Sequence, residues 1–345
     1  MTQPHPRKKV TIKDIARVCN VSAQTVSRVI NQRPDVAPAT RAAVEQAIEE
    51  LGYQPSALAR SLVQQRSRTL GVIIAGLRYV GVSQTLHGIT AQCKESGYAL
   101  MLAELSEFKG SNLLALIDEL NAHHVDGIIF AAPELDDNVA TMQEQLPATC
   151  PPVVFLKSRP HPRYTTIVID NREGARTAVR HLLQSGRRRI GHITGPLKWL
   201  EARQRRDGWA DELAAAGLAA EEECWVQGNW SSGSGEAGME ELLMRCPAID
   251  GLFAANDQMA LGALHYLHSR GVAVPEEIAV VGFDNLAESA FFYPSLTTLR
   301  QPLRELGSTA VQTLLAQIDG AAPPSDNLIT LKPELIVRAS TQRNA

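Results

Sequence analysis

The chain has 345 residues, 44% of them hydrophobic, which is typical of a globular protein of two or three domains rather than a disordered chain. Its net charge of −3 divides unevenly, because residues 1–60 hold nine Lys and Arg against five Asp and Glu while the remainder is acidic. We therefore expect any contact with a polyanion to be made by the N-terminal segment.

The sequence shows no signal for export or membrane insertion. No apolar run follows the basic residues near the N-terminus, and none elsewhere approaches the roughly 18 residues of a membrane span. The cysteines are odd in number and contain no Cys-x-x-Cys pair, so we expect neither a disulfide framework nor a zinc site, and no cofactor. These features favour a cytoplasmic protein without a membrane partner.

Three short helices are predicted near the N-terminus. Thr11 with Asp14 three residues later indicates the start of a first helix, Ser22 caps a second, and residues 37–53 form a third that ends at Gly52. The apolar residues predicted to face inward are Ile12, Ile15, Ala16, Val18, Val26, Val29, Ile30, Val44, Ile48 and Leu51.

The second of these helices has a polar outer face, which carries Gln24, Ser27, Arg28 and Asn31. Polar side chains on this face do not contribute to the packing of a hydrophobic core. Three small helices in this order are typical of an all-α helix-turn-helix DNA-binding module, and a generic helical subdomain is the alternative.

The rest of the chain changes pattern twice. Residues 54–68, "QPSALARSLVQQRSR", predict a linker that becomes a short helix on binding. From Thr69 to about Leu331, short apolar runs alternate with amphipathic helices, which indicates buried parallel strands in a doubly wound α/β body of two halves. The expected boundaries are 1–54 for the helix-turn-helix domain, 55–68 for the linker and 69–345 for the body, with 69–168 and 300–330 in one half and 169–299 and 331–340 in the other.

Polar and aromatic residues follow four of the predicted strands. Arg205 lies on the helix after "RIGHITGP", Trp230 ends "CWVQGNW", Asn256 follows "DGLFAA" and Asp284 follows "IAVVGF". Because open parallel sheets bind ligands beyond the carboxyl ends of their strands, we expect these residues to meet at one rim. Together they suit a sugar, whose hydroxyls need charged and amide partners and whose C–H face needs a ring. Helix capping is the alternative for Asn256 and Asp284.

The segment "WLEARQRRDGW", residues 199–209, places three arginines between two tryptophans. Arg205, Trp209 and Leu213 recur four residues apart, so Arg205 shares the buried face of a helix, while Arg203 and Arg206 point away from it. The segment is therefore predicted to contribute one arginine to a ligand cleft rather than to form a basic patch.

These segments resemble the lactose-repressor (LacI-type) family of bacterial transcription regulators. The resemblance extends from Val10 to about Leu335 and is carried by "TIKDIARVCNVSAQTVSRVIN", "VEQAIEELGYQPSALARSL", "ARQRRDGW", "GNWS", "ANDQMALGA", "VVGFD" and "LTTLRQ". It implies an all-α helix-turn-helix head and an α/β periplasmic-binding-protein-like body of two doubly wound subdomains. It also implies a homodimer that binds a pseudo-palindromic operator in double-stranded DNA, at the nucleoid.

On the DNA side, the resemblance implies that Ala23 and Gln24 touch base edges and that Arg28 reads guanine. Residues 56–64 match the family's hinge helix, in which Leu62 wedges into the minor groove. The residues that it assigns to DNA, those that hold phosphates included, are Thr11, Ser22, Ala23, Gln24, Thr25, Ser27, Arg28, Asn31, Ala59 and Leu62.

On the effector side, the resemblance assigns hydroxyl binding to Arg205, Asn256 and Asp284, stacking to Trp230, and a place in the cleft to Gln301. An acid from the first half is expected after "GIIF", where Glu134 and Asp136 are both candidates. Tyr79 and Trp199 are larger than or different from what the family commonly has at their positions, so the pocket shape differs. The full effector set is Tyr79, Asp136, Trp199, Arg205, Trp230, Asn256, Asp284 and Gln301.

The function that follows is a repressor released from its operator by a small sugar or sugar derivative. A corepressor-dependent regulator that binds a purine, a sugar acid or a sugar phosphate is the first alternative. An enzyme is a remote one, because the sequence lacks a Walker-type phosphate loop, an H-x-x-x-H pattern and a G-x-S-x-G elbow. A sugar carrier does not explain the basic head. Without a leucine-heptad tail, a dimer is expected rather than a tetramer.

Overall fold

The computed structural model describes residues 10–30, 33–53, 66–106, 108 and 111–342. The chain divides into two compact units, and the boundary in the sequence falls between Arg68 and Thr69. Asn31, Ala59 and Leu62, with most of the predicted linker, lie outside the described residues.

The N-terminal unit contains α1 (Ile12–Val18), α2 (Ala23–Ile30) and α3 (Pro38–Glu50). The predicted start of α1 is confirmed, because the backbone N and the hydroxyl of Thr11 both donate to the Asp14 carboxylate, at 3.0 and 2.7 Å. The three-helix module expected from the sequence is therefore present.

The small core of this unit is formed by buried side chains from all three helices, namely Ile15, Ala16, Val26, Val29, Val44 and Ala47. Two residues predicted to face inward do not: Val18 is 61% exposed and Leu51 is 38% exposed. Each lies at the end of its helix, so no following turn covers it.

The C-terminal unit is built from strands and helices that alternate along most of its length. Its strands are β1 (Thr69–Ile74), β2 (Ala99–Glu104), β3 (Gly127–Phe130), β4 (Val153–Leu156), β5 (Thr165–Ile169), β6 (Ile190–Thr194), β7 (Trp225–Gln227), β8 (Gly251–Ala254), β9 (Ala279–Asp284), β10 (Thr297–Arg300), β11 (Leu328–Leu331) and β12 (Glu334–Ile336). Its helices are α4 (Val80–Glu95), α5 (Leu113–Ala122), α6 (Asn138–Gln145), α7 (Asn171–Gln184), α8 (Leu200–Ala215), α9 (Ser232–Arg245), α10 (Asp257–Ser269) and α11 (Leu303–Ile318).

These strands form two sheets, whose orders are β11-β5-β4-β3-β1-β2 and β12-β10-β9-β8-β6-β7. Neighbours pair in parallel, except that β12 is antiparallel to β10. The chain passes from one sheet to the other after β5, β10 and β11, so each lobe is assembled from separate stretches of sequence. The doubly wound α/β body predicted from the buried apolar runs is confirmed.

Two cysteines correct the expectation of no disulfide. Cys224, directly before β7, is joined to Cys246, just after α9, with 5.4 Å between their Cα atoms. They are 22 residues apart in sequence, and α9 returns the chain to the strand that precedes it. Sequence spacing alone did not reveal this return.

Within the described part of the chain, no helix combines the length and the apolarity needed to cross a bilayer.

Candidate functional site

A pocket opens between the carboxyl ends of the two sheets. The space in it that is open to the centre of a water-sized sphere is about 70 Å³. The residues that line it are Tyr79, Val80, Gly81, Val82, Pro133, Lys157, Trp199, Glu201, Arg205, Trp230, Asn256, Gln258, Asp284 and Gln301. Of the eight effector candidates named from the sequence, the structure brings all but Asp136 to this pocket.

Arg205 lies deep in the pocket wall, with its side chain 5% exposed. Its Nε donates to Asn171 Oδ1 at 2.9 Å, its Nη1 donates to Ala255 O at 2.6 Å, and its guanidinium carbon lies 3.9 Å from the centroid of the Phe283 ring. Burial lowers the pKa of Arg205, and the Asp284 carboxylate opposes this change. Since a guanidinium stays protonated in proteins, Arg205 presents a fixed, oriented positive charge.

Asp284 faces this cation across the pocket. Its Oδ1 lies 3.9 Å from Arg205 Nη1 and accepts a hydrogen bond from Gln301 Nε2 at 2.5 Å. Burial raises the pKa of Asp284. The positive charge of Arg205, the hydrogen bond donated by Gln301 and the positive charge of Lys157 all oppose this rise. The carboxylate is therefore held by Gln301, which directly follows the neighbouring strand β10, and lies beside Arg205 of α8.

Three residues of the pocket have left-handed backbone conformations. Lys157, Trp230 and Asp284 have φ values of 56°, 73° and 122°. Such conformations cost about 1–3 kcal/mol each for residues other than glycine and cluster at functional sites. The lining is thus held in place by the surrounding fold rather than by local preference.

Aromatic rings form one wall, with Trp199 at its centre. The centroid of its ring lies 4.8 Å from that of Tyr79, 5.6 Å from Phe108 and 5.9 Å from Trp230, all in edge-on geometry. These distances are in the favourable range for aromatic pairs. Trp199 therefore links Tyr79 of the first lobe to Trp230 of the second.

Asn256 combines the two roles that the sequence left open. Its Oδ1 accepts from Met259 N at 2.8 Å, which caps α10, and its Nδ2 donates to Trp230 O at 3.0 Å. The capping alternative is present, and the same side chain lines the pocket. Asn256 therefore also fixes the segment that carries Trp230.

The acid expected after "GIIF" does not line the pocket. Glu134 is buried, and its carboxylate accepts from the backbone N of Arg159 at 2.6 Å and lies 3.1 Å from Arg159 Nε. The side chain of Asp136 is 66% exposed, 4.0 Å from Arg203, while its backbone N donates to Lys198 O at 2.7 Å. The assignment of Asp136 is corrected, because Arg159 holds one acid and the loop turns the other outward.

Two charged residues of the pocket were missed from the sequence. Lys157 directly follows β4, and Glu201 lies one helical turn before Arg205 on α8. Applying the strand-end rule to "PPVVFLK" finds the first, and the four-residue spacing from Arg205 finds the second. The pocket thus carries two cations and two carboxylates.

Asp257 lies behind the pocket and anchors the loop that follows β9. It is fully buried, and its carboxylate accepts from Leu286 N at 2.8 Å, Ser289 Oγ at 2.6 Å and Thr298 Oγ1 at 2.5 Å. Burial raises the pKa of Asp257 to about 7, and the nearby Asp284 adds to the rise. Asp257 thereby positions the strand end that carries Asp284.

The N-terminal unit presents the predicted polar face on α2. Ser22 caps this helix by accepting from Thr25 N at 3.0 Å, as expected. Gln24 and Arg28 are exposed, and Arg28 Nη1 lies 3.4 Å from Asp35 Oδ2. Because an exposed ion pair contributes at most about 1 kcal/mol, Arg28 can leave Asp35 for a phosphate or a base at little cost.

Comparison with known proteins identifies the architecture. Residues 11–56 match the family described as bacterial regulatory proteins, lacI family, and residues 179–341 match a periplasmic binding protein-like domain. The chain is 34% identical to the HTH-type transcriptional repressor PurR of Aliivibrio salmonicida (strain LFI1238), over 96% of this chain and 99% of the relative. The chain belongs to the LacI family of bacterial regulators. It is a DNA-binding transcriptional repressor with a ligand-binding domain.

Solved structures of LacI-family proteins share this fold. The lac repressor dimer bound to operator and the anti-inducer ONPF has a TM-score of 0.85 and 31% identity, over 97% of this chain and 100% of that one. The complex of the transcriptional regulator CelR with cellobiose has a TM-score of 0.70 and 32% identity, over 96% and 100%. The LacI-family resemblance drawn from the sequence motifs is confirmed.

Proposed function

We propose that this LacI-family repressor releases its operator when a small sugar binds between the two lobes of its body. The observation that carries the proposal is the pocket between the sheets, where Arg205, Asp284, Asn256 and Gln301 converge beside the ring of Trp230. Charged and amide groups beside an indole suit a ligand with many hydroxyls and an apolar C–H face. A solved relative binds cellobiose in its complex, which is consistent with such a ligand.

The pocket couples to DNA through the arrangement of its lobes. Tyr79 and Lys157 come from the first lobe, whereas Arg205, Trp230 and Asp284 come from the second. A ligand that contacts both lobes favours the arrangement in which they are closest, and a dimer whose first lobes shift in response loses its fit to two half-sites. The sugar must therefore bind the DNA-incompetent state more tightly.

An operator-binding titration tests this proposal. Sites selected from a random duplex library serve as the operator, and fluorescence anisotropy follows the protein on it as neutral mono- and disaccharides are added. We expect one sugar to weaken operator binding by about 10-fold or more, within the usual range of allosteric coupling. A sugar that binds the free protein and leaves operator affinity unchanged contradicts the inducer mechanism.

A corepressor is the second candidate, in which the ligand strengthens operator binding. The observation that favours it is the presence of two cations, Lys157 and Arg205, in the pocket, since an anionic ligand engages cations. The same titration separates the two candidates, because the corepressor changes operator affinity in the opposite direction.

A further inference from the structure

We propose that Lys157 and Glu201 are specificity-determining residues, which hold one hydroxyl of an uncharged sugar from opposite lobes and reject anionic ligands. This inference rests on the proposed function, since it names the class of sugar and the residues that select it.

Glu201 needs a donor that the protein does not supply. It is 8% exposed, it lines the pocket, and within the described chain its buried Oε2 has no hydrogen-bond partner. A buried carboxylate oxygen without a donor costs free energy, so a ligand that brings an O–H group to it gains by removing that cost.

Lys157 supplies the complementary half from the other lobe. Its Nζ donates to Gly81 O at 3.0 Å, and an ammonium group has three donors. Burial lowers the pKa of Lys157, while the carboxylates of Glu201 and Asp284 oppose this change and favour the charged form. A sugar hydroxyl accepts from an ammonium and donates to a carboxylate at the same time, which a deprotonated phosphate or carboxylate oxygen cannot do.

The charge balance of the pocket disfavours an anion. Its charged lining residues are Lys157, Arg205, Glu201 and Asp284, so the formal charges cancel. Arg205 already donates to Asn171 and to Ala255 O, and it lies beside Asp284. Two donors of Arg205 and part of its positive charge are therefore already engaged within the protein. An anionic ligand gains less from this cation and meets two carboxylates, whereas a neutral ligand meets no such repulsion.

Isothermal titration calorimetry on the full-length protein tests the inference. The probes are D-glucose, D-galactose and cellobiose, each compared with its aldonic acid, and the first two also with their 6-phosphates and 2-amino derivatives. We expect the wild type to bind a neutral sugar about 10-fold or more tightly than its acid or phosphate. Glu201→Gln and Lys157→Met are each expected to weaken neutral-sugar binding about 10-fold. Glu201→Gln is also expected to reduce the ratio between the affinity for the neutral sugar and the affinity for its acid or phosphate.

Matched controls remove the same charges from exposed helix positions. Glu241→Gln on α9 and Lys94→Met on α4 are expected to leave every affinity unchanged. The melting temperature and operator affinity without ligand report whether each variant folds, and if Glu201→Gln does not fold, Lys157→Met decides alone.

The outcomes separate this inference from the proposed function. If a neutral sugar weakens operator binding but both variants keep its affinity and its discrimination, the inference is overturned and the proposed function stands. If a phosphate or an acid binds more tightly than its neutral parent, the inference is overturned, and the operator titration decides the proposed function separately.

Discussion

Gly195 shows how a single atom shapes the pocket. A Cβ added at this position lies 2.1 Å from the Trp230 ring, far inside contact distance. We expect Gly195→Ala to displace the ring, to destabilise the protein by about 1–3 kcal/mol and to weaken ligand binding. Calorimetry and thermal unfolding measure the two effects.

Gly233→Ala is the matched control, because a Cβ there meets nothing within 4 Å and the residue lies in the first turn of α9. It is expected to bind ligand as the wild type does and to be no less stable. Equal losses in both variants contradict the assigned contact between Gly195 and Trp230.

Arg205 is predicted to be needed for the response to ligand but not for operator binding. In Arg205→Lys, the hydrogen bond to Asn171 and the stacking on Phe283 are lost, because an ammonium is neither planar nor forked. We expect ligand affinity to fall about 100-fold while operator affinity is retained, so that the variant represses without being induced.

Arg206→Lys on the same helix is the control for this substitution. The Arg206 side chain is 34% exposed and pairs with its neighbour Asp207, so its exchange is expected to leave induction unchanged. Normal induction of Arg205→Lys in a reporter strain is inconsistent with the assigned role. In "WLEARQRRDGW", helical phase alone was enough to separate these two arginines.

At the scale of elements, the loop after β9 is predicted to depend on pH through Asp257. Its pKa is raised from 3.8 to about 7 in the folded protein. The folded state therefore retains a proton that the unfolded state loses, and stability falls as pH rises from about 4 to about 7.

The comparison of Asp257→Asn with the wild type isolates this effect. We expect the stability difference between them to change by up to about 1.4 kcal/mol per pH unit between pH 5 and 6, because the wild type alone carries the raised group. Urea unfolding at several pH values measures it, with the exposed Asp118→Asn as control. A stability difference that does not vary with pH rules out a raised pKa at Asp257.

Much of this architecture could be predicted because its causes are local. Buried parallel strands appear as short apolar runs, helix starts carry Thr11, Ser22 and Asn256, and the strand-end rule located Trp230 and Asp284. These signals depend on neighbours within a few residues.

The sequence-based predictions failed where contacts between residues far apart in the sequence determine the structure. Arg159 binds Glu134 across 25 residues, which left no acid from that loop for the pocket. Cys224 meets Cys246 only because α9 folds back. Lys157 and Glu201 carried readable signals, yet only the folded chain shows that they face one cavity from two lobes.

At the scale of the whole molecule, two exposed aromatic residues are predicted to lie between copies in the dimer. Phe291 and Tyr293 are 88% and 85% exposed and lie close together in the chain after β9. Adjacent exposed rings mark protein interfaces, because their burial supplies much of the free energy of association.

Phe291→Asp is expected to raise the dimer dissociation constant about 10-fold or more, which sedimentation velocity measures. Met244→Asp is the control, since Met244 is also 73% exposed but lies at the end of α9. An unchanged dimer in Phe291→Asp places the contact elsewhere.

One neutral sugar and the operator are predicted to bind the same dimer in opposition, so that each weakens the binding of the other. The most direct measurement is the affinity of the full-length dimer for that sugar by calorimetry, with and without saturating operator DNA. Linkage requires operator DNA to weaken sugar binding by the same factor, about 10-fold or more, by which the sugar weakens operator binding. Equal sugar affinity in the two states contradicts the account.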